Sequence, residues 1–536
     1  MAGSSGTAPK LIKRDGITMS VKIMTAREAM DLVPDGATVA TGGFIGASFA
    51  EELALELENR FLETGHPRDL SLMFCAAQGD RKDKGLNHLA HEGMLKGAMG
   101  AHWGLAPKIG QMVADNKILA YVFPQGVMCH MLRDSAAHRP GTLTHVGLGT
   151  FVDPRLGGGK INDLTRAAPD RVHLMPLGGK EYLFYDYQKV DFALLCGTYA
   201  DENGNISMER CAVTGEMLAT AQACKNSGGT VVVQVERVVK AGSLDPKKVE
   251  IPGILVDAVV PVSDMKYHMQ TFDVEYNPAL SGEHRVSLKA AEPLPLTDKK
   301  IIARRAAMEL RKGTVVNLGI GAPEFISNVA AEEGITNHFT LTVEAGITGG
   351  APQGGLSFGT SLNPDCIMCQ PSMFDYYQGG GLDQTYLGFA EGDGAGNVNV
   401  SKFGPKLPGC GGFIDISQNS KQVFFCGTFT ASGLKTHVED GKLVIDQEGR
   451  IDKFLKEVEQ ITFSAKTALE NGIPVVYFTE RAVFRLTAQG LELIEIAPGI
   501  DLEKDICAHM AVRPAVSPDL RLMDARIFRD EPMGLK

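Results

Sequence analysis

The sequence predicts an α/β fold made of two homologous, open α/β domains with largely parallel sheets. Three observations carry that prediction. Strand-like apolar runs alternate with helical patterns, which implies βαβ units and parallel pairing. The chain contains itself twice: "AREAMDLVPDGATVATGGFIGASFAEELA" from Ala26 and "ARRAAMELRKGTVVNLGIGAPEFISNVAA" from Ala303 both run helix, turn glycine (Gly36, Gly313), "TV" strand, glycine-rich loop, helix. The third is a second ordered match, "ADENGNIS" at Asp201 against "GDGAGNVNVS" at Asp393, each a D-x-x-G-N turn placed after an apolar run.

Taken in order, residues 1–19 are polar, lack the apolar stretch of a secretory signal, and read as a tag or disordered extension, with Met19 as an alternative start. An N-terminal domain is expected over 20–282 and a second over 299–520. Between them 283–298, inside "SGEHRVSLKAAEPLPLTDKK", is charged and proline-containing as a linker would be, and 521–536 is left as a C-terminal tail. The second copy is the clearer one. "TVVNL" predicts a strand over 314–318, "PEFISNVAAEEG" a helix with Pro323 near its first turn and Gly334 as its stop, and "FTLTV" a strand over 339–343. A helical crossover makes those strands parallel. The loops Gly319–Pro323 and Glu344–Gly350 then lie beyond the carboxyl ends of the sheet, where open α/β sheets bind ligands.

Composition sets the outer limits. Of 536 residues 44% are hydrophobic and 22% charged, an ordinary globular balance for more than one domain. The net charge of -11, without a run of like charges, argues against nucleic acid as the main partner. No window approaches a membrane span, so a cytoplasmic protein with no membrane partner is expected. Ten scattered cysteines sit mostly beside aliphatic residues and read as reduced core thiols. The lone CxxC, Cys366 and Cys369, has no second pair, and His88 and His91 lack HExxH order, so no metal site is expected.

The chemistry-bearing stretch is "FTLTVEAGITGGAPQGG", in which Glu344 closes an apolar strand and faces glycines. Such a carboxylate could bind a ribose, ligate a metal, act as a general base, or act as a nucleophile. Dinucleotide binding is disfavoured, because "GIGAPE" carries Glu324 where a third glycine belongs and "GGFIGASF" misses the spacing. Gly346, Gly349, Gly350, Gly354 and Gly355 suggest that something bulky approaches Glu344.

On these residues the chain resembles family I coenzyme A transferases, most closely the single-chain propionate or acetate CoA-transferases. "DGATVATGGFIGASF" looks like the first family signature and "LTVEAGITGG" like the Glu-x-Gly that carries its nucleophile. "NLGIGAP", "YVFPQGV", "GGGLDQTYLGFAE", "GNVNVSKFG" and "GCGGFIDIS" are similar to further family motifs, and the likeness runs from about residue 22 to 525. Ser48 and Ala50 replace the usual glycine and proline of the first signature. Glu51 and Glu52 follow, where ketoacid-specific relatives carry asparagine. This favours the short-chain monocarboxylate branch.

The resemblance implies two domains of the CoA-transferase type with the active site at their interface. It also implies ping-pong exchange between an acyl-CoA and a short-chain carboxylate. Glu344 would attack the thioester, and a glutamyl-CoA thioester would follow a mixed anhydride. Coenzyme A is then substrate and covalent intermediate, with no separate cofactor. Gln125 and the backbone amides of Gly411 and Gly412 become candidate oxyanion donors, and Asn317 a candidate for orienting Glu344. Gly319, Ile320, Gly321, Ala322 and Pro323, opening a helix, become candidate contacts for coenzyme A, with Lys402 and Lys435 as candidate phosphate contacts. Relatives are homo-oligomers, so a homotetramer or homodimer is expected. The same scaffold could house an acyl-CoA hydrolase, or a non-catalytic sensor of CoA esters or sugar phosphates.

Overall fold

A computed structural model describes residues 21–288, 293–404 and 406–535. The expected N-terminal extension, 1–19, and residues 289–292 of the expected linker lie outside that range.

The first half is built on an eight-stranded sheet paired in parallel throughout. Its order is Lys22–Ile23, Ala258–Pro261, Thr230–Val235, Phe192–Cys196, β1 (Thr38–Thr41), Leu70–Phe74, Leu95–Gly100 and Leu119–Val122. Helices cover such a sheet on both faces, which is why its central strands are continuous apolar runs. All five residues of Phe192–Cys196 are buried. Two helices of this half matter below: α1 (Glu51–Thr64) and α2 (Gln125–Ala136).

The second half repeats the plan on a ten-stranded sheet. Helix α3 (Asp298–Ala307) leads through the left-handed Gly313 into β2 (Thr314–Leu318). Helix α4 (Glu324–Glu332) then crosses to β3 (Phe339–Val343), which pairs with β2 in parallel. The bounds of β2 and β3 are those read from the sequence, and Gly334 follows the helix in the left-handed conformation of a stop. The sheet departs from a purely parallel one at both edges. β3 turns back through β4 (Ile347–Thr348), and Val475–Phe478, Ala482–Thr487 and Gly490–Ile496 form an antiparallel meander. β2 also pairs in parallel with β5 (Gln384–Gly388).

The repeated D-x-x-G-N segments adopt one turn. Asp201 accepts the backbone N–H of Asn203 and Asn205 at 3.0 and 2.9 Å, and Asp393 accepts that of Asn397 at 2.9 Å. The glycine in each, Gly204 or Gly396, has positive φ. The aspartate thus replaces missing ladder partners at a reversal that only glycine makes cheaply.

The halves are joined by α2, which packs against α5 (Gln370–Gln378) and α6 (Phe413–Ser417) of the second half. Arg133 grips Asp375 through two nitrogens at 2.5 and 3.2 Å, and His130 lies 3.1 Å from the same carboxylate. Gln418 of the second half accepts the N–H of Gly147 and donates to Leu148 O, both at 2.8 Å.

Of residues 521–536, expected as a tail, the described ones, 521–535, are instead part of the second half. The last strand runs Ala515–Leu522, and Ile527, Phe528 and Met533 are buried. Glu333 accepts the N–H groups of Met533, Gly534 and Leu535 at 2.6, 2.7 and 3.0 Å, while Arg304 donates to Ile527 O and Glu531 O. A buried arginine with carbonyl partners escapes the cost of an unpaired charge. Among the described residues no helix is long and apolar enough to cross a membrane.

Candidate active site

A cavity of about 600 Å³ opens between the halves, and Glu344 lines it together with Gln125, Asn317, Gly319, Ile320, Gly411 and Gly412. Parallel pairing sends the carboxyl ends of β2 and β3 to one edge, as the topology rule requires. The equivalent loop after β1 contributes Phe44 and Ile45, which pack in one apolar cluster with Val343 and Ala345 on either side of Glu344. The two copies of one βα unit therefore both line the cavity.

Glu344 sits on a three-residue turn, Glu344-Ala345-Gly346, that joins β3 to the antiparallel β4. Gly346 has φ +113°, and a Cβ there would lie 2.0 Å from Met368 O. The glycine expectation needs correcting here. Gly349 would meet the Asp365 side chain, and Gly350 the backbone of Leu362 and Asn363, so these glycines clear room for the chain's own atoms. Of the five glycines named, Gly355 alone lines the cavity.

Glu344 is half-buried, and its removal from bulk water raises its carboxyl to about 6, against smaller lowering by its own backbone N–H and the Asn317 amide. Below it lies a buried polar ladder. Asn317 donates to Thr342 O (3.3 Å) and towards the Tyr377 hydroxyl (3.4 Å), and Tyr377 donates to Thr342 Oγ1 (2.9 Å). Burial first, and then the Glu344 charge, push the Tyr377 phenol well above its usual range, so it stays a neutral donor.

Gln125 opens α2 directly after Pro124. Its N–H donates to Gly411 O at 3.0 Å, and the next amide, Gly126, donates to Asp415 Oδ2 at 3.1 Å. Asp415 is fully buried, and burial lifts its carboxyl to about 7 against the Gly126 and Gln378 hydrogen bonds. These contacts fix the start of α2 against the second half. The Gln125 side chain is 3% exposed, yet its Nε2 has no acceptor in the described structure. A buried amide nitrogen without a partner is costly, and here it lies in the wall of the cavity.

The other expected contacts divide. Gly411 N–H is committed to Ala101 O at 2.9 Å, so it cannot also serve an oxyanion; Gly412 N–H has no acceptor among the described residues. At the start of α4, Gly319 N–H donates to Tyr386 O and Gly321 N–H to the Glu324 carboxylate, and Glu324 itself lines the cavity. Two of the amides expected to meet an anion are thus taken, and a carboxylate stands beside them. Ala322 and Pro323 stand at the start of α4, outside the cavity wall. Lys402 lies beside the lining residue Phe403 and pairs with Glu459 at 3.3 Å. Lys435 is exposed on a hairpin, Lys435–Glu439 with Lys442–Gln447, outside the cavity lining; its spacing in the sequence could not show that.

Sequence reasoning missed Arg81 and His102, both in the lining. Burial and the Arg81 charge lower the His102 imidazole to about 4, and its Nδ1 accepts Gly104 N–H at 3.2 Å. Glu51 and Glu52 face away from the cavity. Glu51 bonds His88 and Gly85 N–H, and Glu52 accepts Ser263 N–H.

The Coenzyme A transferase family model matches residues 23–261. The chain is 47% identical to "Caffeate CoA-transferase" of Acetobacterium woodii over 519 residues, 96% of this chain and 98% of that one. It is 46% identical to "Acetate CoA-transferase YdiF" of Escherichia coli K12 over 526 residues, 98% of each. The crystal structure of the YdiF apoenzyme from Escherichia coli O157:H7 superposes with TM-score 0.92, covering 96% of this chain and 97% of that one at 46% identity. A thioester complex of that acyl-CoA transferase with CoA gives 0.91 at 45% identity, covering 96% and 97%. With relatives this similar along nearly its whole length, the chain belongs to the coenzyme A transferase family and is a CoA-transferase.

Proposed function

We propose that the enzyme moves coenzyme A between a short-chain acyl-CoA and a free monocarboxylate of the acetate or propionate type, through a glutamyl-CoA thioester at Glu344. The observation that carries this is Glu344 on a tight turn in the interdomain cavity, with the unpartnered amide of Gln125 in the same wall.

Glu344 is ionised at neutral pH, so attack on the thioester carbonyl requires no general base. Attack expels the CoA thiolate and leaves a mixed acyl-glutamyl anhydride. The thiolate then attacks the glutamyl carbonyl, releasing the carboxylate and leaving the glutamyl-CoA thioester. A second carboxylate reverses these steps. At each carbonyl an oxyanion forms, and Gln125 Nε2–H and Gly412 N–H are the available donors. A preset donor gains most where water is excluded. Asn317, held to Thr342 O, keeps an amide beside Glu344 without being free to swing. The pantetheine arm is assigned to the wall formed by Leu387–Ala390, Val400 and Phe403, which leaves Phe44, Ile45, Ala77, Leu105 and Phe358 for the acyl group. Binding along the arm, remote from the reacting carbon, can then be used for positioning at the thioester.

The acetate CoA-transferase name of the YdiF relative supports the short-chain reading, and an apolar acyl wall suits acetyl and propionyl groups alike. The family resemblance further supports a homodimer or homotetramer, which light scattering would read. The functional test is acceptor dependence: propionyl-CoA is supplied with acetate, butyrate, lactate, caffeate or no acid. Transfer to acetate exceeding transfer to caffeate supports the proposal. Release of CoA at the same rate without an acid would replace it with a hydrolase.

A further inference from the structure

Both substrates of the reaction are anions, the chain carries a net charge of -11, and two carboxylates, Glu344 and Glu324, already face the cavity. Arg81 is the one arginine or lysine among the lining residues. Its guanidinium has no hydrogen bond or ion pair among the described residues. Its sequence neighbours are otherwise occupied. Asp80 accepts the N–H groups of Lys82, Asp83 and Lys84 at 2.8, 2.9 and 3.0 Å, and Asp83 pairs with Lys108 at 2.9 Å. The loop is also fixed at its base, where Gly79 N–H donates to Ile45 O and Arg81 N–H to Leu105 O, at 3.1 and 2.9 Å. Arg81 is thus presented by a rigid loop.

Its backbone is the second, independent observation. Arg81 has φ +70°, a left-handed conformation that suits glycine and disfavours residues with a side chain. A strained residue persists where the rest of the structure holds it, and such positions concentrate at functional sites. A glycine would fold here with less strain, and an arginine stands here, solvent-exposed in the cavity lining, with its charge unpaired among the described residues.

We propose that Arg81 anchors the carboxylate of the acid substrate. The loop bonds of Arg81 run to Ile45 and Leu105, which form the acyl side of the cavity, and not to the segments assigned to the pantetheine arm. Its wall also contacts the nucleophile's turn, because Phe44, Ile45 and Leu105 share one apolar cluster with Val343 and Ala345, the residues on either side of Glu344. A guanidinium beside that wall offers a planar fork matched to a carboxylate, and as a permanent cation it draws anions into an otherwise acidic cavity. His102 next to it is neutral and adds no competing charge. This assignment rests on Glu344 as the nucleophile.

The test is kinetic, with Arg81→Gly and Arg81→Lys. Arg81→Gly removes the guanidinium and suits φ +70°, so its melting temperature should equal or exceed that of the wild type. Its KM for propionate or acetate should rise at least about tenfold, the size expected for one hydrogen bond to a charged group. Its KM for propionyl-CoA should change less than about twofold, since an anchor for the free acid contributes one such bond to that substrate alone. Arg81→Lys should recover part of the loss. Added salt should raise the wild-type KM for the acid and leave that of Arg81→Gly nearly flat. A rise in the acyl-CoA KM alone would overturn the assignment and give Arg81 to the phosphates of coenzyme A. Unchanged constants, or an equal rise in both, would overturn it as well. The adduct formed from propionyl-CoA with no free acid present separates this from the nucleophile assignment. It should form in Arg81→Gly, and its absence in the wild type would count against Glu344, not Arg81.

Discussion

Replacing Gln125 by methionine should make the enzyme slower and no less stable, which is an unusual pair of effects for a 3% exposed residue. Methionine nearly conserves length and volume and has no branch to collide with the α2 start. What it removes is Nε2, which is buried without an acceptor. An unpaired buried amide costs the fold about 1–3 kcal/mol, so its loss should leave stability unchanged or raise it within that range. If Nε2 instead finds its acceptor in the oxyanion of the reaction, removing it should lower kcat by about 10²–10³. The backbone bonds that hold the start of α2, Gln125 N–H to Gly411 O and Gly126 N–H to Asp415, do not involve the side chain and should survive. The assay is initial-rate transfer from propionyl-CoA to acetate, with kcat and both KM values resolved, alongside thermal unfolding. A kcat within about threefold of wild type, well short of the loss expected for an oxyanion donor, would refute the reasoning. So would a lowered melting temperature, because it would mean that the amide bonds a protein group.

Further outcomes follow from the nucleophile and its turn. The carboxyl of Glu344 is raised from 4.5 to about 6, so kcat/KM should climb through an acid limb near pH 6, measured in rate profiles from pH 4.5 to 8. The folded state holds this proton more tightly than the unfolded chain. Ionising Glu344 therefore costs the fold nothing below about pH 4.5 and up to about 2 kcal/mol above pH 6. Glu344→Gln should accordingly abolish transfer, and it should raise the melting temperature at pH 7.5 but not at pH 4.5. Gly346→Ala should lower both activity and stability by distorting the turn, because its Cβ would meet Met368 O at 2.0 Å at φ +113°. Thermal unfolding and the transfer assay read both effects.

How much of this was legible follows the range of each signal. The strands at 314–318 and 339–343 and the stop at Gly334 are local patterns, and the structure repeats them closely. Glu344 was legible because a short-range pattern met a topological rule: a strand end in a parallel sheet points to the ligand edge. Gln125 and Asn317 offered no such pattern and stood out only through family likeness. Arg81 and His102 were hidden for a different reason. "GDRKDKG" reads as a solvated charge run, and only the folded chain turns one of its five charged groups to the cavity while the loop's own bonds occupy the aspartates. The glycines after Glu344 mark close approach, but a sequence cannot say whether ligand or backbone arrives. Here, at Gly346, Gly349 and Gly350, it is the chain itself: the backbone of Leu362, Asn363 and Met368 and the side chain of Asp365. Lys435 and the Gly411 amide fail similarly, since position on a remote hairpin and commitment to Ala101 O are tertiary facts.

The central claim is that Glu344 becomes covalently bound to coenzyme A. Incubating the enzyme with propionyl-CoA, quenching in acid, and mapping peptides by mass tests it most directly. A CoA adduct on the peptide carrying Glu344, lost on adding excess acetate before the quench and absent from Glu344→Gln, is the predicted result. An adduct on another residue, or turnover to acetyl-CoA by Glu344→Gln, would contradict it.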